Sequence, residues 1–220
     1  MSDRLIWQSA SLLLAYPGPD WPGTLALVAD ALAAPRNPAV RSSPARALAR
    51  FCAGASGIPV LEAQARYVET FDRDRRRTLH MTYYTDGDTR ARGARLVAVK
   101  ALYRRHGWEP AGAELPDFLP AMLEFAARCP RAGDELLRAH RPGLELLRLA
   151  LHDIGDPYEP VVRAVCATLP GPRSRDRAAA RALARTGPPT ETVGAGVDLG
   201  MPPFPAPRPV AAAAPEGPRR

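Results

Sequence analysis

The chain has 220 residues, of which 46% are hydrophobic and 24% charged, a composition typical of one globular domain. No stretch approaches the roughly 20 apolar residues that a membrane-spanning helix needs, so we expect no direct membrane insertion. The net charge is +7, and residues after position 170 carry four of these charges, whereas a nucleic-acid-binding domain concentrates its charge on the folded face. Composition therefore argues against a membrane span and predicts no nucleic-acid partner.

Helical patterns begin at the N-terminus. Asp3–Tyr16 has apolar residues at helical spacing, including Leu5 and Leu12, and it ends at a Pro-Gly-Pro run that cannot continue a helix. Trp21–Ala34 and Pro44–Ala53 predict two further helices. The first quarter of the chain therefore predicts three helices joined by short loops.

The second quarter predicts two more helices with an irregular connection between them. Pro59–Phe71 begins with a proline, which is favoured in the first turn of a helix. Asp72–Asp86 has no regular apolar period. A long helix follows, capped by Asp88 or Thr89 and stopped at Gly107.

The remaining helices are predicted over three ranges. Leu115–Cys129 has one apolar stripe, and Tyr158–Leu169 follows a proline. Ala132–Ile154 should be helical in two pieces, because Pro142 cannot sit in an undisturbed helix interior. The buried stripe predicted for this range is formed by Leu144, Leu147, Leu151 and Ile154.

Strand signals are nearly absent, since no alternating run is bounded by hairpin turns. The sequence therefore predicts an all-α fold, with about eight helices in a single compact domain over residues 1–170. Ten of the 25 prolines lie beyond residue 170. The Pro-, Ala- and Arg-rich segment over residues 171–220 has no lasting apolar period, and we expect it to be a flexible, largely disordered tail.

Signatures of catalysis are missing from the sequence. Cys52, Cys129 and Cys166 are odd in number and far apart, which is untypical of a disulfide framework or a zinc site. Lys100 stands in a predicted helix without the glycines of a phosphate loop. No nucleophile elbow or His-Glu-x-x-His motif occurs. We therefore expect no cofactor, no metal and no enzymatic activity.

The most informative block runs from Tyr67 to Glu124. It contains Thr82–Arg90, with the sequence TYYTDGDTR, followed by Arg92 and a glycine, and later Leu115–Pro120, with the sequence LPDFLP. Two tyrosines thus precede a turn with two carboxylates, a glycine and two arginines. Such an amphipathic surface suits recognition of a helix that carries both apolar and basic groups.

These two runs resemble the signatures of the respiratory nitrate reductase delta-subunit chaperones, the NarJ type within the TorD-like redox-enzyme maturation proteins. Trp7–Pro17 and Tyr158–Pro170 look similar to that family too, and the resemblance covers roughly residues 4–170. This chain has Phe118 where family members usually carry histidine. Any nucleotide-dependent step of the family is therefore not carried over to it.

The resemblance implies a system-specific assembly chaperone for respiratory nitrate reductase. Such a protein binds the N-terminal segment of the catalytic (alpha) subunit, aids insertion of the molybdenum cofactor, delays membrane docking and is not part of the mature enzyme. The lack of a convincing signal peptide favours the cytoplasm. Two alternatives stay open: a maturation chaperone for another molybdenum oxidoreductase, and a helical nucleic-acid-binding regulator.

The candidate client-binding residues lie in the informative block. Tyrosines suit half-buried contact surfaces, the leucines can form one wall of an apolar groove, and carboxylates can attract a basic client. The predicted client-peptide-binding residues are Tyr67, Phe71, Tyr83, Tyr84, Asp86, Asp88, Arg90, Leu119, Leu123 and Glu124. Simpler interpretations stay open: either tyrosine can be core, Asp88 can cap a helix, and residues on helical stripes are more often core than groove.

Overall fold

The computed structural model describes residues 2–33, 43–110, 112 and 114–171, and these residues contain ten α-helices and no strand. One turn of 3-10 helix, Arg75–Arg77, lies between the fourth and fifth helices. The helices are α1 (Ser2–Leu14), α2 (Trp21–Ala33), α3 (Ser43–Ala55), α4 (Val60–Phe71), α5 (Met81–Asp86), α6 (Arg90–Arg105), α7 (Leu119–Arg128), α8 (Pro130–Ala139), α9 (Arg141–Asp153) and α10 (Glu159–Thr168). The predicted all-α class is confirmed, although the predicted number of about eight helices was too low.

Prolines account for most of the helix boundaries in the second half of the chain. Pro120, Pro130, Pro142 and Pro160 all lie in the first turn of a helix, where the missing N–H has no partner to lose. The predicted break at Pro142 is confirmed, since it separates α8 from α9. The described residues end at 171, so the predicted boundary between a domain over 1–170 and a tail over 171–220 stays a prediction.

The short helix α5 lies in the segment predicted to be irregular. Its six residues are too few to show an apolar period, and isolated helices of this length are unstable. Tertiary contacts stabilise it, because Met81, Thr82, Tyr84 and Asp86 are all buried. Gly87 ends the helix with a φ of 57°, a conformation that glycine adopts at little cost.

The core is centred on α7, which packs against α1 and α8. Eight of its ten residues are buried. At Gly133 on α8 an added Cβ would lie 2.1 Å from the Cα of Ala126, so the backbones of α7 and α8 approach closely there. This close contact fixes α7 in place, and its N-terminus carries the second motif run.

Ile154 was predicted to lie on a buried stripe and Tyr16 to end the first helix, but both are exposed beyond helix ends. Ile154 is 54% exposed because it follows the last residue of α9, where the helical register stops, and Tyr16 is 52% exposed beyond the end of α1. Leu5 and Leu12 are only half-buried, since α1 turns a different face inward. That buried face is formed by Ile6, Trp7, Ala10, Leu13 and Leu14.

An antiparallel bridge between His80 and Phe118 brings the two motif runs together. The N–H of Leu119 donates to the carbonyl of Leu79 at 2.8 Å, and the N–H of Met81 donates to the carbonyl of Asp117 at 3.0 Å. The bridge joins the segment before α5 to the segment before α7. No described helix combines the length and apolar character that crossing a bilayer requires.

Candidate functional site

The two motif runs meet at the buried carboxylate of Asp117. This carboxylate accepts hydrogen bonds from the backbone N–H of Thr82, at 3.1 Å, and from the Thr82 hydroxyl. Nδ1 of His80 lies 3.2 Å from its other oxygen, Oδ1, and Nη2 of Arg92 lies 3.7 Å from Oδ2, the oxygen that Thr82 binds. Burial alone would raise the pKa of Asp117, but the hydrogen bonds from His80 and Thr82 outweigh it and lower that pKa. Asp117 is therefore ionised at neutral pH and fixes the start of α5.

A small groove of about 190 Å³ lies beside this carboxylate. It is lined by Arg75, Thr78, His80, Tyr83, Asp88 and Arg92, and we call it the polar groove. Asp88 pairs with Arg75 at 2.7 Å and with Arg92 at 3.5 Å. The guanidinium carbon of Arg92 lies 5.9 Å from the centre of the Tyr83 ring. The charges of the groove are thus paired with one another, and Tyr83 supplies its aromatic surface.

The predicted acidic residues and the arginine take different places around the polar groove. Asp88 is exposed and lines it, and Arg90 is exposed at the first position of α6. Asp88 makes no cap of α6, because the N-cap residue is Thr89. Asp86 is buried, and its carboxylate lies 3.5 Å from Arg95. Of the two predicted aspartates, Asp88 alone is available to a partner in this conformation.

The two predicted tyrosines have opposite roles. Tyr83 is half-buried in the polar groove, whereas Tyr84 is 5% exposed and packs its ring against Gly143 of α9. The Tyr84 hydroxyl donates to the carbonyls of Arg76 and Thr78, at 3.0 and 2.9 Å. Burial raises the pKa of Tyr84 well above its ordinary value. Tyr84 is therefore a core residue beneath the groove.

The predicted apolar wall on α7 is not at the surface. Leu119 and Leu123 have no exposed area, so they pack in the core and cannot contact a peptide in this conformation. Glu124 is half-buried and pairs with Arg128 on its own helix. Among the described residues it has no hydrogen bond or ion pair with the polar groove. The groove therefore has no leucine wall.

The last two predicted residues, Tyr67 and Phe71, belong to a buried aromatic cluster away from the polar groove. The ring of Phe71 lies 4.9 Å from the rings of both Tyr67 and Tyr158, and Phe51 lies 5.0 Å from Tyr158. The Tyr67 hydroxyl donates to the carbonyl of Leu14 at 3.1 Å. Tyr67 and Phe71 thus lie behind Phe51 and Tyr158, which reach a second concave surface.

This second surface is a pocket of about 440 Å³ between α3, α4 and α10, which we call the apolar pocket. Phe51, Ile58, Pro157 and Tyr158 are among its mostly apolar lining residues. Sequence reasoning did not find it, because it is assembled from distant segments. Gly54 was predicted to lie just beyond the end of a helix, but α3 continues to Ala55 and Gly54 lines the pocket.

The described residues contain no cluster of three or more His, Cys, Asp or Glu side chains that could hold a metal ion. The thiols of Cys52 and Cys166 are free and buried. Burial raises the pKa of Cys52 to about 11 and that of Cys166 to about 12, so both are uncharged at neutral pH. Neither thiol has the lowered pKa of a nucleophilic cysteine.

The chain is similar to proteins of one family. The family described as nitrate reductase delta subunit matches residues 37–163. Nitrate reductase-like protein NarX of Mycobacterium tuberculosis is 41% identical over 165 residues, which are 74% of this chain and 24% of that protein. The nitrate reductase molybdenum cofactor assembly chaperone NarJ of Escherichia coli is 37% identical over 123 residues, which are 56% of this chain and 51% of that protein.

The fold also has a solved counterpart. A crystal structure from Archaeoglobus fulgidus, described as a redox enzyme maturation protein, has a TM-score of 0.56 at 19% identity and covers 75% of this chain and 92% of that chain. That likeness concerns the fold. The chain spans about half the length of the E. coli relative and about a quarter of NarX. Because the family match includes more than half of its residues, the chain belongs to the nitrate reductase delta subunit family.

Proposed function

We propose that this protein is an assembly chaperone for respiratory nitrate reductase and catalyses no reaction itself. The observation that carries the proposal is the convergence of the two family-like motif runs on Asp117, in a chain that belongs to the delta subunit family. The relative in E. coli is named as a molybdenum cofactor assembly chaperone for nitrate reductase. The described residues offer no competing catalytic cluster.

The client in this proposal is the N-terminal segment of the catalytic subunit, and it binds at the polar groove. Tyr83 presents a half-buried ring for an apolar client side chain, and the exposed carboxylate of Asp88 meets a basic client group. Arg90 lies close in sequence and is exposed. The buried Asp117 holds the backbone of α5 in place, so that the groove is formed before the client arrives.

The existing ion pairs set the balance between these contacts. Asp88 already pairs with Arg75 and Arg92, so a basic client group must replace one of those arginines. Exposed pairs of this kind are worth little, roughly 0–1 kcal/mol. We therefore expect the Tyr83 ring to supply most of the affinity and Asp88 to supply orientation.

Binding of this segment accounts for the two tasks of the proposed chaperone. A segment held in the groove cannot pack against the rest of the enzyme, so the catalytic subunit stays open for insertion of the molybdenum cofactor. Because this segment is bound by the chaperone, docking of the catalytic subunit on the membrane subunit is delayed as well. The chaperone then leaves, and the encounter takes place in the cytoplasm before the enzyme is complete.

A peptide titration tests the site. A synthetic peptide with the N-terminal sequence of the catalytic subunit is titrated calorimetrically into the full chain. Tyr83→Ala should weaken binding by about 1–3 kcal/mol, as expected for loss of an aromatic anchor. Asp88→Asn should cost less, and its effect should shrink at high salt, because exposed charges are screened within about 8 Å at physiological ionic strength.

Glu109→Gln provides the matched control, since Glu109 also forms an exposed pair with an arginine, Arg104, at 3.3 Å. It should bind the peptide as the wild type does. Circular dichroism must show that each variant is folded. Wild-type protein that ignores the peptide, or two folded groove variants that bind it normally, would show that the groove is not the client site.

The identity of the client is tested separately. Tagged full-length protein is captured from cells that respire nitrate, and the proteins that accompany it are identified by mass spectrometry. The catalytic subunit of nitrate reductase should be the main large partner, and Tyr83→Ala should reduce its recovery. Recovery of a different molybdenum oxidoreductase instead would favour the alternative client.

A further inference from the structure

The apolar pocket has features that packing of the core does not explain. Its volume of about 440 Å³ falls in the range of pockets that bind ligands. Its walls come from α3, α4 and α10, from Trp21 at the start of α2 and from the turns before α4 and α10. The half-buried ring of Phe51 and the partly buried Ile58 lie in these walls. A concave apolar surface of this size, open to solvent, is typical of a site that another molecule covers.

Positive charge surrounds this apolar surface. Three arginines line the pocket, and no acidic residue does: Arg50, Arg66 and Arg163. Arg66 pairs with Glu62 at 2.6 Å and Arg163 with Glu159 at 3.5 Å, each on its own helix, and both guanidinium side chains stay about half exposed. Arg50 is exposed and has no ion pair with any described residue. The mouth of the pocket therefore favours a partner with negative charge.

A buried donor without an acceptor also lies in the pocket wall. Trp21 is 3% exposed and lines the pocket, and its indole Nε1 has no hydrogen-bond partner among the described residues. By contrast, Nε1 of Trp7 donates to the hydroxyl of Thr168 at 2.8 Å. Buried N–H groups are nearly always paired, so Trp21 is an exception. Because Trp21 lines the pocket, a molecule that enters the pocket would lie next to this residue.

We infer that the apolar pocket is a second docking site, for a peptide helix that presents apolar side chains flanked by acidic residues. The pocket holds a few apolar side chains, and the three guanidinium groups meet the flanking carboxylates with charge-assisted hydrogen bonds. This site is separate from the polar groove and has the opposite charge preference. The inference does not depend on the client proposed for the groove.

Two synthetic probes test the charge preference. One is an amphipathic helix with leucine and phenylalanine on one face and flanking glutamates, and the other has lysine in place of each glutamate. Each is titrated into the full-length Tyr83→Ala variant, so that binding of the lysine probe at the polar groove, which is proposed to take a basic client, does not mask the comparison. We expect the glutamate probe to bind at least about tenfold more tightly, because the lysines of the other probe would be repelled by the arginines of the pocket. Equal binding of the two probes would overturn the inference, and so would failure of both to bind.

The three tryptophans allow the position of the probe to be read by NMR. The glutamate probe should shift the indole N–H signal of Trp21, assigned through Trp21→Phe, and leave that of Trp7 unchanged. An unmoved Trp21 signal at saturating probe would place the peptide elsewhere and contradict the assignment.

A pocket-filling substitution provides the decisive variant. Gly54 lies within α3 and lines the pocket, and an added Cβ there meets no atom within 4 Å. Gly54→Leu should therefore fold, fill the pocket and weaken the glutamate probe at least about tenfold. Gly93→Leu is the matched control, because Gly93 is also helical with open space around its Cβ and lies outside the pocket. It should bind the probe normally.

The remaining outcomes also decide the question. Unchanged probe binding by folded Gly54→Leu would overturn the inference. Arg50→Glu, a change at an exposed position, gives a second measurement that does not depend on Gly54, and it should weaken binding of the glutamate probe in a salt-dependent manner.

Light scattering tests a different occupant of the pocket. Wild-type dimers that Gly54→Leu abolishes would identify a second copy of the chain as the occupant instead. Tyr83→Ala should leave binding of the glutamate probe unchanged. A result that overturns the inference about the apolar pocket is therefore distinguishable from one that overturns the client site at the polar groove.

Discussion

The polar groove and the apolar pocket lie on one helical scaffold, but their polar groups are treated in opposite ways. Asp88 in the groove and Asp117 beside it are both paired within the protein, Asp88 by two arginines and Asp117 by buried hydrogen bonds. In the pocket, Arg50 and the indole N–H of Trp21 have no such partner among the described residues. Paired groups fix the shape of a surface, whereas unpaired groups leave interactions for another molecule to complete.

Because polar groups are paired in one region and unpaired in the other, substitutions should have different effects in the two regions. Removing a polar group from the groove leaves its internal partners unsatisfied, so stability should fall. Changing Arg50 or Gly54 at the pocket breaks no ion pair among the described residues, so stability should change little while binding changes. Stability measurements therefore test the comparison directly.

The largest loss is expected for Asp117→Ala. This substitution leaves the hydroxyl and N–H of Thr82, and the ring of His80, without their acceptor in a buried setting. Breaking a buried charged network by removing one partner costs about 3–5 kcal/mol. Urea denaturation followed by circular dichroism measures the change in the free energy of unfolding. A loss below about 1 kcal/mol would show that the network does not stabilise the groove.

Asp117→Asn is the matched control, since it keeps the shape of the side chain and removes its charge. Because the pKa of Asp117 lies below its ordinary value of 3.8, its charge stabilises the protein at neutral pH. That contribution is complete above the unfolded-state pKa and is lost as the pH falls through the lower folded-state pKa. The difference in stability between wild type and Asp117→Asn should therefore narrow below about pH 3.8.

An intermediate loss is expected for Tyr84→Phe. The substitution keeps the ring that packs on Gly143 but removes the hydroxyl that donates to two carbonyls. We expect a loss of about 1 kcal/mol in unfolding free energy. The affinity for the client peptide should not change, because Tyr84 is beneath the groove. Weaker peptide binding at unchanged stability would instead make Tyr84 a contact residue.

The smallest effect is expected at the helical glycines. Gly54→Ala, at the pocket, and Gly93→Ala, on α6, each add a methyl group into open space. Alanine is favoured over glycine in a helix interior by up to about 1 kcal/mol, so both variants should gain a few tenths of a kcal/mol or more in thermal unfolding. A clear loss of thermal stability in Gly54→Ala alone would mean that another part of the same chain occupies the pocket.

The sequence predicted the helical class and several boundaries, because these depend on local chemistry. Pro59 precedes α4, Pro142 lies in the first turn of α9, and Gly107 follows α6 with a φ of 63°, all as the residue types require. The short helix α5 was missed, since its stability comes from buried contacts with distant segments. Local periodicity carries no information about such contacts.

The candidate site was predicted less completely, for the same reason. Tyr83 and Tyr84 are neighbours of one residue type, and a contact with Gly143, far away in sequence, decides which of them is buried. Leu119 and Leu123 lie on a helical stripe that is compatible with a groove wall or with the core, and only the packing of α7 against α1 and α8 distinguishes the two. Whether the exposed members of the predicted set bind a client stays a prediction.

The bridge between His80 and Phe118 has a topological effect on α6. By pairing these residues it closes the chain from 80 to 118 into a loop whose ends are fixed to the core. Within that loop the first part of α6, residues 90–98, buries no side chain, so it has little to lose by local unfolding. Melting of this part would remove Arg92 from the polar groove while Asp117, Thr82 and His80 stay joined at the closed base. The groove can therefore open on one side while Val99 and Tyr103 keep their places in the core, and the closed loop limits the chain entropy that this part must give up to fold again.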